Sequence, residues 1–267
     1  MIDIHHHLLF GLDDGSPDLE TSLQMAEMAA ADGITHIVCT PHASNHFAFR
    51  PEENAIRFAQ LNEAVTKALS DKLTLGLGCD FHLSYENITD AVANPAKYTI
   101  NHKNYLLIEF PNMGIVPAMP DHVYQLVLGG MTPIITHPER NPTFVEHPEK
   151  LDDYTQMGCL IQITGGSILG GFGRTAQRAA TSFLEQGLVD IVASDAHSLD
   201  RRRPLLRAAY EEVARSVGDQ AAERLFVTTP RAVFYGEPIP ADSEPTQVAQ
   251  KEEANKKRSL ISRLFSR

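Results

Sequence analysis

The sequence predicts an α/β protein whose parallel sheet closes, or nearly closes, into a barrel. Three observations carry that expectation. Seven short runs rich in Ile, Val and Leu recur along the chain, most are followed by a helix-like stretch, and turn residues bound each run. Short apolar runs suit strands buried on both faces, and strands alternating with helices imply a parallel sheet. Seven such units favour a barrel, with an open doubly wound sheet as the alternative.

The strands are expected at Ile2 to His5, His36 to Thr40, Leu73 to Gly78, Tyr105 to Phe110, Thr132 to Thr136, Leu160 to Thr164 and Val189 to Ala193. After the first, Ser16 is a suitable N-cap and Pro17 suits the first helical position. Leu19, Leu23, Ala26 and Ala30 would then share one face, and Gly33 supplies a left-handed stop. Further helices are expected over Pro51 to Ser70 and over Arg174 to Gln186, the latter ending at Gly187. Two more follow the last strand, around Pro204 to Val217 and Asp219 to Phe226.

The chain has 267 residues, with material for one large domain, placed at 1–237. Pro238 to Gln250 is rich in Pro, Ser and acids and reads as a linker. Beyond it Lys256, Lys257, Arg258, Arg263 and Arg267 are basic, and Leu260, Ile261, Leu264 and Phe265 would share one helical face. Residues 238–267 are therefore read as a linker and a basic amphipathic tail, suited to contact anionic lipid or a membrane-borne partner through 256–267. A net charge of −11 argues against nucleic-acid binding. Three widely spaced cysteines make no disulfide framework. The start shows no basic-then-apolar leader, and no apolar run is long enough to span a bilayer. The expectation is a cytoplasmic protein, peripheral at most at the inner face of the membrane.

The placement of histidines and carboxylates is the most informative feature. The first strand ends in His5 and His7, which are two apart and so project from one side of an extended chain. His42 follows the second strand, Asp80 and His82 the third, Glu109 ends the fourth, His137 the fifth, and Asp195 and His197 the seventh. In a β/α barrel these strand ends converge on one face. Imidazoles and carboxylates gathered there are ligands for Zn²⁺, Mn²⁺ or Fe, enough for two or three ions. His36, His102, His122 and His147 fall elsewhere and read as ordinary surface or satisfied residues.

Basic residues follow two of these ends: Arg140 after His137, and Arg201, Arg202 and Arg203 after His197. A guanidinium grips phosphate oxygens through two hydrogen bonds, so Arg140 and at least one of the three suit a phosphate substrate. The Cys-x5-Arg loop of cysteine phosphatases is absent, since Asn45, Tyr85 and Gly165 stand where its arginine would follow Cys39, Cys79 and Cys159. The glycine-rich stretch from Gly165 to Gly173 is a weak signal, consistent with a chain turning over the barrel rim.

Several of these runs resemble the PHP superfamily (polymerase and histidinol phosphatase). They are Asp3-Ile4-His5-His6-His7, Asp13-Asp14-Gly15, Thr40-Pro41-His42, His137-Pro138-Glu139-Arg140 and Ala193-Ser194-Asp195-Ala196-His197. Leu107-Ile108-Glu109-Phe110, Gly158 to Thr164 and Ser198-Leu199-Asp200-Arg201-Arg202 are similar to the manganese-dependent bacterial protein-tyrosine phosphatases of capsule and exopolysaccharide loci. The likeness spans Met1 to Tyr235 and leaves out the tail. It implies a distorted TIM-like (β/α)7 barrel with a three-metal site holding Mn²⁺. The donor types alone would also accept Zn²⁺, Fe or Co²⁺. The ligands it implies are His5, His7, Asp14, His42, Asp80, Glu109, His137, Asp195 and His197. Arg140 and Arg202 would hold the phosphate, with Arg201 or Arg203 able to substitute, and Asp195 or His197 would serve as proton donor. One position departs from the pattern: glutamate is usual where Asp80 stands. A carboxylate one methylene shorter would need a backbone shift, or help from His82, to bridge two ions.

The expected activity is hydrolysis of phosphotyrosine by metal-activated hydroxide. By resemblance, the substrate would be an autophosphorylated bacterial tyrosine kinase that controls polysaccharide export. Three alternatives share part of the pattern. They are a small-molecule phosphatase, such as one for histidinol phosphate, a metal-dependent amidohydrolase, and a non-catalytic binding module that has kept the fold.

Overall fold

The structure, a computed structural model, describes residues 1–111 and 114–240. The chain opens on β1 (Ile2–His6), returns through α1 (Leu19–Ala31) to β2 (His36–Cys39), and resumes after Pro41 as β3 (His42–Ala43). Helix α2 (Pro51–Leu69) leads to β4 (Thr74–Leu77) and its extension β5 (Asp80–His82). There follow α3 (Tyr85–Ala93), β6 (Tyr105–Glu109), α4 (Met119–Leu128), β7 (Thr132–Thr136), the short α5 (Pro142–Glu146) and α6 (Leu151–Thr155), and β8 (Leu160–Thr164). Helices α7 (Gly165–Ile168) and α8 (Gly173–Glu185) precede β9 (Ile191–Ala193), after which come α9 (Arg207–Val217), α10 (Asp219–Glu223) and α11 (Thr229–Tyr235). Among the described residues no helix is long and apolar enough to cross a membrane. The tail at 241–267 lies outside the described residues.

Every strand pair is parallel, in the orders β1-β2-β4 and β3-β5-β6-β7-β8-β9. Because β3 and β5 prolong β2 and β4, the two sheets trace seven strand paths. The ring closes where His6 pairs with Ala196: the His7 amide donates to the Ala196 carbonyl and the Asp195 amide to the His5 carbonyl, both at 2.9 Å. The expected barrel is present, and its distortion has a cause. Pro41 has no N–H for the ladder, so the second path breaks there and resumes one residue later.

The core forms two shells. Inside the barrel, Ile2, Ile4, Val38, Leu107, Ile134 and Ile191 pack together, and Val233 and Phe234 of α11 plug the end where the strands begin. Between strands and helices lies a larger shell that includes Ile37, Leu106, Ile108, Ile135, Ile161, Ile163 and Val192. With one mouth plugged, the open mouth is at the strands' C-terminal ends.

Strand β1 carries one residue too many. Its register with β2 runs Ile2 to His36 and Asp3 to Ile37, then slips to His6 against Cys39. Simple alternation from the inward Ile2 and Ile4 would turn His5 and His7 outward. The extra residue reverses the alternation, so His5 follows Ile4 into the interior.

Two helical expectations need correction. Asp18, not Ser16, caps α1, its carboxylate accepting from the Thr21 amide at 2.8 Å. Ser16 is buried, and its amide donates to the His7 carbonyl, which delays the helix start to Leu19. The buried face is Ser22, Met25, Ala26 and Ala29, with Leu19 exposed. The face turns because the Ser22 hydroxyl docks on the Leu8 carbonyl at 2.6 Å. Helix α9 begins at Arg207, later than expected, and the helix after Asp219 continues through a π-type turn into α11.

Phe144 ties the segment after β7 to the outer shell. Fully buried on α5, it meets Phe110 and Tyr154 edge-on, with centroids 5.1 and 6.0 Å away. Phe144→Ala is expected to destabilise the fold by about 3–5 kcal/mol, read as a lowered urea midpoint at unchanged slope. A midpoint equal to the wild type's would refute that packing.

Candidate metal centre

The expected residues meet at the open mouth. His5 and His7 leave β1 side by side, their Nε2 atoms 3.4 Å apart. His42 comes from β3, Asp80 and His82 from β5, and Glu109 ends β6. His137 and Asp195 follow β7 and β9 with φ of 36° and 51°. Non-glycine residues in this left-handed region carry strain, which here turns both side chains back over the mouth.

The donor atoms form four overlapping groups, each with its ligand atoms within 4.8 Å of one another: His7, Asp14, His42 and His197; His5, His7 and Asp80; His5, His137 and Asp195; and His42, Asp80 and Glu109. All nine expected ligands belong to at least one. Asp80 sits in two, with Oδ2 lying 3.6 Å from His5 Nε2 and 3.0 Å from His42 Nδ1. The shorter carboxylate thus reaches both neighbours directly. His82 lies outside the four groups, its Nδ1 3.8 Å from Glu109.

Charge in this cluster is strongly biased. Burial opposes ionisation of Asp195, but His5, Arg140 and Arg202 overcome it and hold the carboxyl well below its usual range. Asp80 is likewise buried and is held well below by His5 and His42. Burial would lower the pKa of His5, yet Asp195 and Asp80 raise it to about 9. Burial and the neighbouring His197 depress His7 to about 4, and burial with Arg140 drives His137 far down, so both offer neutral nitrogens.

A divalent cation fits these residues. Asp80 is 1% exposed, yet neither of its oxygens accepts a well-formed hydrogen bond, and His197 Nε2 also lacks a partner. Orphaned buried donors and acceptors are costly unless something else satisfies them. Imidazole nitrogen and carboxylate oxygen, without sulfur, make a donor set for Mn²⁺, Zn²⁺, Fe or Co²⁺. The cysteines take no part: all three are buried and free, and burial pushes the Cys159 thiol up to about 12.

Two guanidiniums border the cluster. Arg140 Nη1 and Arg202 Nη2 both contact Asp195 Oδ2, and Arg202 Nε donates to the Asp195 carbonyl at 3.2 Å. Of the three consecutive arginines, Arg202 is the one turned to the site, while Arg201 and Arg203 are exposed.

Known proteins are similar to this chain in sequence and fold. The sequence model for "Capsular polysaccharide synthesis, CpsB/CapC" matches residues 1–235. The chain belongs to the CpsB/CapC family. It is 37% identical over 205 residues to the tyrosine-protein phosphatase YwqE of Bacillus subtilis, covering 76% of this chain and 79% of YwqE. It is 30% identical over 245 residues to the tyrosine-protein phosphatase CpsB of Streptococcus pneumoniae, covering 90% of this chain and all of CpsB. A solved structure from work on YwqE and CpsB, described as unique metal-dependent tyrosine phosphatases, superposes with a TM-score of 0.83 at 30% identity. That match covers 92% of this chain and 99% of the other.

The cluster in this CpsB/CapC chain also contains residues that sequence reasoning passed over. Asp13 Oδ2 lies 2.8 Å from His7 Nδ1 and accepts from the His42 amide at 3.0 Å. Gln162 Oε1 lies 2.9 Å from His5 Nδ1. Each fixes which imidazole nitrogen faces the cluster. The signal for Gln162 was present in Leu160-Ile161-Gln162-Ile163-Thr164, where one amide interrupts an apolar strand.

Proposed function

We propose that this CpsB/CapC protein is a metal-dependent phosphatase that hydrolyses phosphotyrosine in a protein. We further propose Mn²⁺ as its ion, the cytoplasm as its place, and a bacterial tyrosine kinase governing capsule or exopolysaccharide synthesis as its substrate. One observation carries the reading: four His/carboxylate groups share members at one barrel mouth, and two guanidiniums meet beside them. Overlapping groups suit two or three ions, and the kinships to YwqE and CpsB support tyrosine as the phosphate carrier.

The nine grouped residues would hold the metal. Divalent ions bound there supply an acidified water and screen phosphoryl charge. The chain does the remaining work. Arg140 and Arg202 orient the phosphoryl group and neutralise charge on its equatorial oxygens. Asp195 anchors both guanidiniums and, held ionised, is unsuited to donate a proton. The ring nitrogen of His197 that is free of hydrogen bonds, Nε2, belongs to the proposed metal set, and a phenolate leaving group needs little assistance from a proton donor.

Phosphate release by the purified protein tests this, with and without Mn²⁺, from phosphotyrosine, phosphoserine and phosphothreonine peptides beside histidinol phosphate. Mn²⁺-dependent release from phosphotyrosine peptides is expected. Release from histidinol phosphate alone would overturn the protein-substrate reading.

The residues behind the ligands give a graded prediction. Gln162→Leu leaves His5 Nδ1 without its partner, so the Mn²⁺ concentration for half-maximal activity is expected to rise by about 10- to 100-fold. Wild-type metal dependence in this variant would remove Gln162 from the site.

A further inference from the structure

The glycine-rich stretch between β8 and α8 contributes no residue to the four donor groups, yet it delivers a single aromatic ring to the two arginines. Arg140 lies over the Phe172 ring, its Cζ 4.5 Å from the centroid, and Arg202 lies 5.8 Å from the same centroid. We infer that Phe172 is a positioning residue, an aromatic platform that holds both phosphate-gripping guanidiniums in register. The inference rests on the phosphatase reading and deepens it.

The platform has a problem to solve. Two cations converge on one carboxylate oxygen of Asp195, so they repel each other, and each arginine side chain has large rotamer freedom to escape. The negative face of an aromatic ring attracts both and restricts where their planes can lie. Asp195 and Phe172 thus hold the same two guanidiniums through different contacts.

The surrounding glycines make this position of the ring available. A Cβ on Gly166 would stand 3.0 Å from Phe172 Cε2, so the ring packs where a side chain would crowd it. Gly170 and Gly173 take φ of 82° and 87°, reversing the chain on either side of Phe172. The Gly171 amide closes the turn on the Gly166 carbonyl at 2.8 Å. The loop is also clipped to the Arg140 turn. Buried Glu139 accepts from the Thr164 amide at 3.0 Å and from the Ser167 hydroxyl at 2.7 Å. The arginine and its platform therefore sit on one braced unit.

The test compares Phe172→Leu, which keeps apolar bulk but loses the ring, with Phe172→Tyr, which keeps the ring. Readouts are steady-state kinetics on a phosphotyrosine peptide, inhibition by inorganic phosphate, and calorimetric titration of Mn²⁺. For Phe172→Leu, KM and the phosphate inhibition constant are expected to rise roughly 5- to 30-fold, with Mn²⁺ affinity unchanged. Phe172→Tyr should restore both constants. Wild-type constants in Phe172→Leu, or a Phe172→Tyr variant as impaired as Phe172→Leu, would overturn the platform while leaving the phosphatase reading intact. A wild-type protein that neither hydrolyses the peptide nor responds to phosphate would overturn both.

Discussion

Asp80→Asn is expected to lower Mn²⁺-dependent release from phosphotyrosine peptides by about 10³-fold, the upper end of what one electrostatic group contributes. The substitution changes almost no volume, so a folding defect does not confuse the result. It removes a full negative charge from the one carboxylate oxygen that lies near both His5 and His42. Because Asp80 belongs to two of the four donor groups, two candidate metal positions should weaken together. Asp80 is also buried with neither oxygen in a well-formed hydrogen bond, so its charge is balanced chiefly by the neighbouring imidazoles and any bound cation. Metal content measured on the purified variant should fall alongside activity. Full turnover with full metal content would show that the cluster works without its central carboxylate. Asp80→Glu supplies the longer residue usual at this position among the resembling phosphatases. It is expected to retain metal dependence, because the donor atom survives.

The convergence of the candidate ligands was legible because it depends on rules that need no tertiary information. Parallel strands end on one side of a barrel, so the gathering of His5, His7, Glu109, His137 and Asp195 at one mouth could be read from where they stand on their strands. Residues two apart point the same way, so His5 and His7 could be paired. What escaped was decided by neighbours. Simple alternation puts Ile2 and Ile4 inward, and only the register slip against β2 brings His5 in after them. No local pattern in Ile2 to His6 announces that slip. Asp13 and Asp14 are adjacent acids, and the roles divide between them because Asp13 lies under His7 while Asp14 reaches His42 and His197. Three consecutive arginines look equivalent in sequence. Arg202 alone turns inward, because the His197 and Ser198 amides both donate to its carbonyl and fold the segment into a turn. The N-cap of α1 shows the same limit: Ser16 has the right chemistry, but its amide is already committed to the His7 carbonyl.

Strain and burial at this mouth serve one arrangement. His137 and Asp195 hold left-handed backbone conformations that most side chains avoid, and both follow strands whose apolar residues are locked in the core. Such conformations persist only where the surroundings over-determine them. The packing around Phe144, the plug made by Val233 and Phe234, and the ring closure through His6 and Ala196 supply that constraint.

Arg140→Lys is expected to reduce kcat/KM on phosphotyrosine peptides by about 10²- to 10³-fold, although charge is conserved. Lysine offers a point charge on a flexible stem, whereas the guanidinium presents a planar fork that matches two phosphoryl oxygens. It would also lose the guanidinium's place over the Phe172 ring. The metal response separates this loss from damage to the cluster. Arg140 helps hold the Asp195 carboxylate in place and in competition with any cation, so weakening that contact frees the carboxylate. The Mn²⁺ concentration for half-maximal activity should therefore stay level or fall while turnover collapses, opposite to the behaviour expected of Gln162→Leu. Arg202→Lys should show the same signature. The double variant should lose less than the product of the single losses if, as proposed, both guanidiniums act on one phosphoryl group. A rise in the Mn²⁺ requirement on substituting either arginine would place it among the supports of the metal cluster instead of on the phosphate.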